Sequence, residues 1–359
     1  DQITATLRKV NDPELHRDIV TLGMLKKASA CDGVVALTIE LTTPACPLKD
    51  TIKADVENAL RADFGDAIRQ VNIEFTAQVR KPPQEAASEN NPLPGVKHII
   101  AVGAGKGGVG KSTVAVNLAV GLAREGATVG LLDGDIYGPS LPTMLGLEGA
   151  QVRAAGNMIL PYEVHGVRAM TIGVMVEDDK PLIWRGPMAH GAFRQLATQT
   201  QWGDLDYLVI DLPPGTGDVP LTMAQLLPLT GAVVVCTPQK VAQDDARRAV
   251  GMFRQLGVDV LGVVENMSYF IGDDGKEYDI FGKGGAEHMA HELGVPFLGA
   301  VPINTALRHN SDAGDPTANF GPKAGKLADE LTTVVRNLAG QVSVATMGGK
   351  VLQPTISIT

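Results

Sequence analysis

Cysteine and aromatic residues are scarce in this sequence, and long apolar runs are missing from it. The three cysteines in 359 residues, Cys31, Cys46 and Cys236, are too few and too scattered for a disulfide framework. No apolar run is long enough to span a bilayer. Positive charge is also in deficit, since the formal net charge is −9, and this argues against a broad electrostatic footprint for DNA. We therefore expect a cytoplasmic protein that binds neither nucleic acid nor membranes.

Glycine, by contrast, is concentrated between residues 102 and 113, where the chain reads Val-Gly-Ala-Gly-Lys-Gly-Gly-Val-Gly-Lys-Ser-Thr. This stretch satisfies the G-x-x-x-x-G-K-[ST] pattern of a phosphate-binding loop. The apolar run 98–102 predicts a strand before the loop, and apolar residues at three- and four-residue spacing over 114–124 predict a helix after it. Because strand, loop and helix occur in the order that such a site requires, the sequence predicts nucleotide binding here.

The residue types of this loop explain how it would hold a polyphosphate. Glycine lets the backbone approach the phosphates and turn N–H groups toward them, and the start of the helix adds partial positive charge. Lys111 is expected to reach the β- and γ-phosphates, and Ser112 is expected to bind Mg²⁺. The residues of this loop that we predict to bind nucleotide are Gly105, Lys106, Gly107, Gly108, Val109, Gly110, Lys111, Ser112 and Thr113.

Aspartates follow two of the apolar runs that predict strands. Asp133 and Asp135 come after the run 128–132, and Asp211 directly follows the run 207–210. Carboxylates at such positions can serve Mg²⁺ and an attacking water, and a strand that ends in aspartate is the Walker B arrangement. One such aspartate alone indicates little, because aspartate caps turns in many proteins. Behind a phosphate-binding loop, the three together predict a magnesium–nucleotide site with Asp211 near the metal.

The alternation of apolar runs with helical patterns predicts an α/β fold, a P-loop NTPase with a mostly parallel sheet whose ligands bind at the carboxyl ends of the strands. The N-terminal residues predict a separate small α+β domain, near the lower size limit for independent folding. A stretch rich in proline, asparagine and glutamate predicts a linker. We therefore divide the chain into a small domain (1–80), a linker (81–96), a P-loop domain (97–340) and a tail (341–359).

Lys106 is a second lysine, early in the glycine-rich loop. With it the loop resembles the deviant Walker A loop of the MinD/ParA/nitrogenase-iron-protein class of P-loop ATPases. The resemblance implies a homodimer with two nucleotides held between the subunits, in which Lys106 contacts the partner's nucleotide. The alternative is a solvated lysine with no specific role.

Nearly the whole chain resembles the Mrp/ApbC family of iron–sulfur carrier ATPases. Besides the loop, the resemblance rests on Asp-Gly-Asp-Ile-Tyr-Gly-Pro-Ser from Asp133, Asp-Leu-Pro-Pro-Gly-Thr-Gly-Asp from Asp211 and Glu-Asn-Met-Ser-Tyr-Phe from Glu265. It implies ATP hydrolysis with Mg²⁺, and ATP-dependent handling of a [4Fe–4S] cluster at a homodimer interface. The implied partners are apo iron–sulfur client proteins that receive the cluster.

The same resemblance implies roles for individual residues. Lys106, Lys111 and Asp135 take part in catalysis, and Asp135 orients or activates the attacking water. Asp133 supports the loop or the metal. Asn266 reads adenine, since its side chain carries the donor and the acceptor that match the N6/N7 edge of that base. The alternative for Asn266 is a turn residue.

The first 80 residues resemble the small domain of SufT-like iron–sulfur assembly factors. The matching motifs are Asn-Asp-Pro-Glu-Leu from Asn11 and Thr-Thr-Pro-Ala-Cys-Pro from Thr42. In that family the cysteine of the second motif is the reactive one, and here it is Cys46. Because Cys46 precedes the helix predicted at 47–64, we expect the helix start to lower its pKa and favour the thiolate that binds metal. The alternative is a small residue that caps a packed turn.

The family's usual C-x-x-C, which gives four thiolates across a dimer, is missing. At its position the chain reads Phe-Ile-Gly-Asp-Asp-Gly-Lys-Glu from Phe270. Cys236 stands in an apolar run and is expected to be buried and inert. Cys46, helped by Cys31 or by an external thiol, is therefore the remaining candidate for binding an iron–sulfur cluster.

Two functions other than a cluster carrier stay open at the level of sequence. The missing cysteine pair suggests a MinD/ParA-like, ATP-switched adaptor dimer that has lost cluster binding. A small-molecule kinase or an amide-bond-forming enzyme on the same fold is the other possibility. Iron binding would separate the carrier from the adaptor, and phosphate release that depends on a metabolite would indicate the third function.

Overall fold

Two hydrophobic cores divide the chain in the computed structural model, which describes residues 2–81, 91–135, 138–175, 186–215, 217–272 and 276–347. The first core belongs to an N-terminal unit whose elements are α1 (Gln2–Leu7), β1 (Asn11–Asp12), β2 (Arg17–Asp18), β3 (Leu25–Cys31), β4 (Val34–Leu41), α2 (Lys49–Phe64) and β5 (Gln70–Ala77). Strand β4 lies between β3, which is antiparallel to it, and β5, which is parallel. Helix α2 buries Ile52, Val56 and Leu60, because their four-residue spacing places them on one face. This unit is the small α+β domain that the sequence predicts.

Alternating strands and helices build the second core. Its elements are β6 (Val96–Gly103), α3 (Lys111–Arg124), β7 (Val129–Asp133), α4 (Leu141–Met144), β8 (Arg153–Ala155), β9 (Met158–Leu160), β10 (Tyr162–Val164), β11 (Val167–Met170), α5 (Gly186–Gln199), β12 (Leu205–Asp211), α6 (Asp218–Leu226), β13 (Gly231–Cys236), α7 (Lys240–Gln255), β14 (Val260–Ile271), β15 (Glu277–Tyr278), α8 (Gly285–Leu293), β16 (Phe297–Ile303), α9 (Thr305–Asp312) and α10 (Lys326–Thr346).

The larger sheet has nine strands within the described ranges, in the order β10-β11-β7-β12-β6-β13-β14-β15, with β16 paired to β14. The interior pairs are parallel, whereas β10 and β15 pair in antiparallel fashion at the edges. Strands β7 and β13 are buried along their whole length, as their continuous apolar runs predict. The register places Asp211 beside both Asp133 and Val102. The carboxyl ends of β12, β7 and β6 therefore meet at one edge of the sheet, where open α/β sheets bind ligands.

The two units touch near the amino ends of β6 and β12, at the opposite edge of the sheet from that meeting point. The hydroxyls of Thr43 and Tyr207 share a buried hydrogen bond of 3.0 Å, and Ala45 packs into the second core. Glu14 lies so close to α10 that a Cβ at Gly340 would be 2.4 Å from its Oε1. The loop that contains Cys46 therefore rests on the larger domain.

The P-loop domain extends beyond residue 340, the C-terminal boundary that we predict from sequence. Helix α10 continues to Thr346, because its last turns carry apolar side chains that are buried, including Val342 and Val344. The tail expected from residue 341 thus begins with helix, and residues 348–359 lie outside the described part of the chain. So do residues 82–90 of the predicted linker. None of the helices in the described ranges is long and apolar enough to cross a membrane.

Candidate functional site

The glycine-rich loop connects the buried strand β6 to helix α3, as predicted. Gly108 and Gly110 have φ angles of +78° and +79°, which lie in the left-handed region that favours glycine. Gly105 is required for a different reason, since a Cβ there would lie 2.1 Å from the carbonyl oxygen of Asp245 in α7. Glycine in this loop therefore serves both the turn itself and the close approach of a neighbouring helix.

Lys111, the first residue of α3, lies among carboxylates from two other strands. Its Nζ donates to Asp211 Oδ1 at 2.6 Å and to Ser112 Oγ at 3.2 Å, and it lies 3.6 Å from Asp135 Oδ2. The side chain of Lys111 is only 6% exposed, and that of Asp211 is fully buried. Residues from three separate motifs thus form one buried charge cluster at the carboxyl edge of the sheet.

Asp133 supports the loop that carries Asp135, as one of its two predicted roles requires. Its Oδ1 accepts from the backbone N–H of Asp135 at 3.1 Å, and its Oδ2 accepts from Thr171 Oγ1 at 2.9 Å. Burial, and then the neighbouring charge of Asp211, raise the pKa of Asp133 to about 8. Burial also raises the pKa of Asp211, although the Lys111 ammonium opposes that shift.

The raised pKa of Asp133 predicts that stability depends on pH. The folded protein holds this proton more tightly than the unfolded chain, whose carboxyl has a pKa of 3.8. The resulting stabilisation is complete below about pH 4 and is lost as pH rises through about 8. Asp133→Asn stays neutral throughout, so we expect the free energy of unfolding of the wild type to fall relative to that of this variant between about pH 4 and about pH 8. Urea unfolding across this range measures the difference.

The exposed Asp259 supplies the matched control for that measurement. Asp259→Asn makes the same chemical change outside the charge cluster, and its stability should follow the wild-type curve at every pH. Parallel curves for the wild type and Asp133→Asn would contradict the prediction.

Asp211 and Ser112 fit a magnesium ion that arrives with a nucleotide. Asp211 Oδ2 is buried and has no hydrogen-bond partner, although its other oxygen is bound to Lys111. An orphaned buried carboxylate oxygen is costly unless a cation or a donor satisfies it. Magnesium in nucleotide sites takes one or two protein ligands of this kind, together with phosphate oxygens and water.

A cavity of about 780 Å³ adjoins the loop at Gly110 and Thr113. Its volume lies within the range of ligand sites for molecules as large as a nucleoside. Asn266 also lines it, but the side chain is buried and its Nδ2 donates to the Val109 carbonyl at 2.8 Å. Asn266 therefore holds the phosphate-binding loop, and its contact with adenine stays a prediction.

The rest of the cavity wall consists of residues for which the sequence predicts no role at the site. They come from the segment at α4, from the segment before α8, from the end of β16 and from α9, and include Pro139, Ser140, Ile280, Phe281, Pro302, Ile303, Asn304, Leu307 and Arg308. Pro139 and Ser140 belong to the motif that starts at Asp133, and Pro302 and Ile303 lie at the carboxyl end of a strand, the edge where ligands are expected. These positions do not specify which of the strand ends forms the wall.

Lys106 is half-buried at the start of the loop. Its ammonium has neither an ion-pair nor a hydrogen-bond partner among the residues that the structure describes. The predicted contact with a partner subunit's nucleotide therefore remains available to it, and that contact stays a prediction.

Cys46 does not have the lowered pKa that we predict from its position before a helix. Burial raises the pKa of its thiol to about 11. The backbone N–H groups of Leu48 and Lys49 act in the expected direction, but desolvation outweighs them, and the carboxylates of Asp12 and Glu14 add to the rise. The thiol is thus protonated at neutral pH in the described conformation.

The other two cysteines do not complete a ligand set with Cys46. Cys31 is exposed at the end of β3, where it pairs with Val34, the first residue of β4, whereas Cys46 follows the far end of β4. An eight-residue strand is roughly 26 Å long, so the expected help from Cys31 of the same subunit is not available. Cys236 is buried, as predicted, and burial raises its pKa to about 12.

Residues 273–275, which belong to the stretch from Phe270 where the family resemblance implies a C-x-x-C, lie outside the described ranges. On either side of them, the backbone N–H of Gly272 donates to the Lys276 carbonyl at 2.9 Å, and β14 pairs with β15. Within the described ranges, no three histidine, cysteine, aspartate or glutamate side chains are placed to hold a metal ion together.

Comparison with known proteins matches both units of the chain. The model of a family described as the NUBPL iron-transfer P-loop NTPase matches residues 95–339, and that of an iron–sulfur cluster assembly protein matches residues 1–73. The iron–sulfur cluster carrier protein of Synechocystis is 47% identical over 97% of this chain and 99% of its own length. The carrier of the same name from Deinococcus radiodurans is 50% identical over 97% of each chain.

A solved structure supports the same conclusion. The nucleotide-binding protein of Archaeoglobus fulgidus, in complex with ADP, is 38% identical to this chain and superposes with a TM-score of 0.57. The match covers 67% of this chain and 95% of that protein. It confirms the P-loop NTPase fold with a mostly parallel sheet, and the sequence matches confirm the resemblance inferred from the motifs.

Proposed function

Because this chain belongs to the NUBPL iron-transfer P-loop NTPase family, we propose that it is an iron–sulfur cluster carrier that binds and hydrolyses ATP. The observation that carries the proposal is the buried ion pair between Lys111 and Asp211. It joins the residue expected to bind phosphate to the residue expected to bind Mg²⁺, although 100 positions separate them in the sequence. The relatives' names support a carrier rather than an ATP-switched adaptor that has lost its cargo.

Nucleotide binding would begin with an exchange of partners at Lys111. The β- and γ-phosphates carry more negative charge than one carboxylate, and the ammonium is already aimed at this position by the start of α3. The exchange releases Asp211, and Asp211 and Ser112 are then the residues that would hold Mg²⁺, which neutralises charge on the phosphates. Backbone N–H groups at Gly108 and Gly110 contribute the remaining anion contacts.

Hydrolysis would depend on Asp135 and on a second subunit. Asp135 is held by Asp133 at the same edge of the sheet as Lys111, so it can orient or activate the attacking water. We assign to Lys106 a contact with the nucleotide of the partner in a homodimer, because no intramolecular partner engages its ammonium within the described ranges. The change from ATP to ADP would then alter the contact between subunits and, with it, the hold on the cargo.

The cargo would be an iron–sulfur cluster destined for apo client proteins, and Cys46 is the proposed protein ligand. In the described conformation its thiol is only 9% exposed, and the loop around it is held by the Thr43–Tyr207 hydrogen bond. Cluster binding would therefore require this loop to move from the surface of the larger domain. The remaining ligands would come from a second subunit or from an external thiol, because Cys31, at the end of β3, lies beside the other end of β4.

Anaerobic reconstitution with ferrous iron, sulfide and dithiothreitol tests this proposal. We expect the wild type to bind iron with visible charge-transfer absorption, and Cys46→Ser to lose most of both, because a serine hydroxyl is a poor ligand for iron in clusters. Cys31→Ser is the matched control, since it removes an exposed thiol of the same small domain and should retain the iron. Iron binding that is equal in Cys46→Ser and the wild type would exclude Cys46 as the ligand.

Cluster transfer supplies the functional measurement. The loaded wild type should restore activity to an apo [4Fe–4S] enzyme, and the transfer should change when ATP is supplied. An intact protein that hydrolyses ATP but never binds iron would contradict the carrier and support the adaptor.

A further inference from the structure

Three buried or half-buried asparagines connect the first turn of α3 to α9, the helix that forms one wall of the cavity. Asn117 Nδ2 donates to the Thr113 carbonyl at 2.8 Å, and Asn319 Nδ2 donates to Asn117 Oδ1 at 2.9 Å. Asn310 Nδ2 then donates to Asn319 Oδ1, also at 2.9 Å. We call Asn117, Asn319 and Asn310 the asparagine chain. Each carboxamide in it donates to the previous residue, so the hydrogen bonds run in one direction from α9 to the phosphate-binding loop.

The inner members of the asparagine chain are enclosed by protein. Asn319 is fully buried and Asn117 is 2% exposed. Buried carboxamides are costly unless their donors and acceptors are paired, and these two are paired only when all three side chains are in place. Such a chain fixes the relative position of the elements that carry it more strictly than apolar packing does, because apolar contacts tolerate sliding and hydrogen bonds do not.

Both ends of the asparagine chain reach residues that line the cavity. At one end Thr113 belongs to the phosphate-binding loop and also lines the cavity. At the other end Asn304 caps the start of α9, and its Oδ1 accepts from the N–H groups of Ala306 and Leu307. Asn304, Leu307 and Arg308 line the cavity. The asparagine chain therefore spans from the predicted phosphate site to the wall of this cavity, which we call the base cavity because Asn266, the residue predicted to read adenine, lines it.

We propose that Asn117, Asn319 and Asn310 are positioning residues that set the distance between the base cavity and the phosphate-binding loop, and so determine how much affinity the nucleoside adds to the triphosphate. The inference rests on the proposed function, since it requires ATP to occupy the loop and the cavity together. A ligand that spans two subsites gains affinity from both only when their separation is fixed in advance. A ligand that occupies the loop alone does not depend on that separation.

Isothermal titration of two ligands, Mg·ATP and magnesium tripolyphosphate, separates these cases. Asn319→Asp places an oxygen where Asn319 Nδ2 donates to Asn117, so it breaks the chain with little change in shape. We expect it to weaken ATP binding about tenfold and to change tripolyphosphate binding less than about twofold, since the lost buried hydrogen bond fixes a separation on which only the ligand that spans both subsites depends. Equal weakening of the two ligands, or no change in either, would overturn the inference.

Two further variants keep the experiment decisive. Asn310→Ala breaks only the outer, half-buried link, and should show the same selective loss of ATP affinity if Asn319→Asp fails to fold. Asn337→Ala is the matched control. Asn337 belongs to α10 and lies outside the asparagine chain, and its Nδ2 donates to the Leu298 carbonyl at 2.9 Å. It should bind both ligands as the wild type does. A wild type that binds neither ligand would overturn the proposed function itself, and would thereby be distinguished from failure of the asparagine chain alone.

Discussion

Lys111→Ala is expected to remove ATP binding and to destabilise the nucleotide-free protein at the same time. The Lys111 ammonium donates to Asp211 at 2.6 Å and lies 3.6 Å from Asp135, and the side chain is almost fully buried. Its loss removes charge-assisted contacts to the phosphates, and we expect the ATP affinity to fall at least about 100-fold. It also leaves buried carboxylates without their cation, at a cost of about 3–5 kcal/mol in the free energy of unfolding. Titration calorimetry and urea unfolding measure the two effects separately.

Two variants distinguish a lost phosphate contact from general unfolding. The double variant Lys111→Ala with Asp211→Asn removes the orphaned charge, so its stability should recover in part while ATP binding stays absent. Lys323→Ala removes an exposed lysine outside the loop, and this variant should bind ATP and unfold as the wild type does. ATP binding by Lys111→Ala at the wild-type affinity would show that the phosphates do not bind at this loop.

Asp135→Asn is expected to bind ATP and to hydrolyse it slowly. The substitution keeps the shape of the side chain but removes the carboxylate that we assign to the attacking water, and loss of a general base typically lowers a rate by about 10²–10⁴-fold. Binding should persist because the stronger partner of Lys111 is Asp211, whose 2.6 Å contact the substitution does not touch. Phosphate release under saturating ATP measures the rate, and light scattering detects a dimer that accumulates before hydrolysis.

The exposed Asp259 again provides the control for removal of one carboxylate. Asp259→Asn should hydrolyse ATP at the wild-type rate. Hydrolysis at that same rate by Asp135→Asn would remove Asp135 from the mechanism, whereas loss of ATP binding in this variant would instead assign it to the nucleotide contact.

Local sequence patterns predicted much of the fold and the part of the site that is expected to bind phosphate. The glycine-rich loop is set by residues within a dozen positions of each other, and both φ angles and close approaches require glycine where the pattern has it. The stripe of Ile52, Val56 and Leu60 on α2 follows from helical periodicity in the same way. The aspartates at the ends of β7 and β12 were identifiable because parallel strands bring their carboxyl ends to one edge.

The sequence could not show which groups those aspartates would contact. The pairing of Lys111 with Asp211 depends on the register of β12 against β6, and the orphaned oxygen of Asp211 depends on burial by surrounding elements. The hydrogen bond from Asn266 to the Val109 carbonyl spans 157 positions, and it changes how that asparagine is understood. The base cavity likewise combines segments from five parts of the chain, so no local motif marks it.

Residue type and short-range spacing are enough to identify the family, the α/β class and the residues of the phosphate-binding loop. The protonation of Cys46 and the hydrogen bonds of the asparagine chain depend instead on how distant segments pack together. A helix start lowers the pKa of a thiol, and that local effect was foreseen, but burial acts through every atom packed around the sulfur and is stronger here. Asn117, Asn319 and Asn310 are likewise connected only because folding places the 3₁₀ turn Pro316–Phe320 against both α3 and α9. Desolvation and hydrogen bonding between distant segments are properties of the packed chain, and no spacing rule in the sequence encodes them.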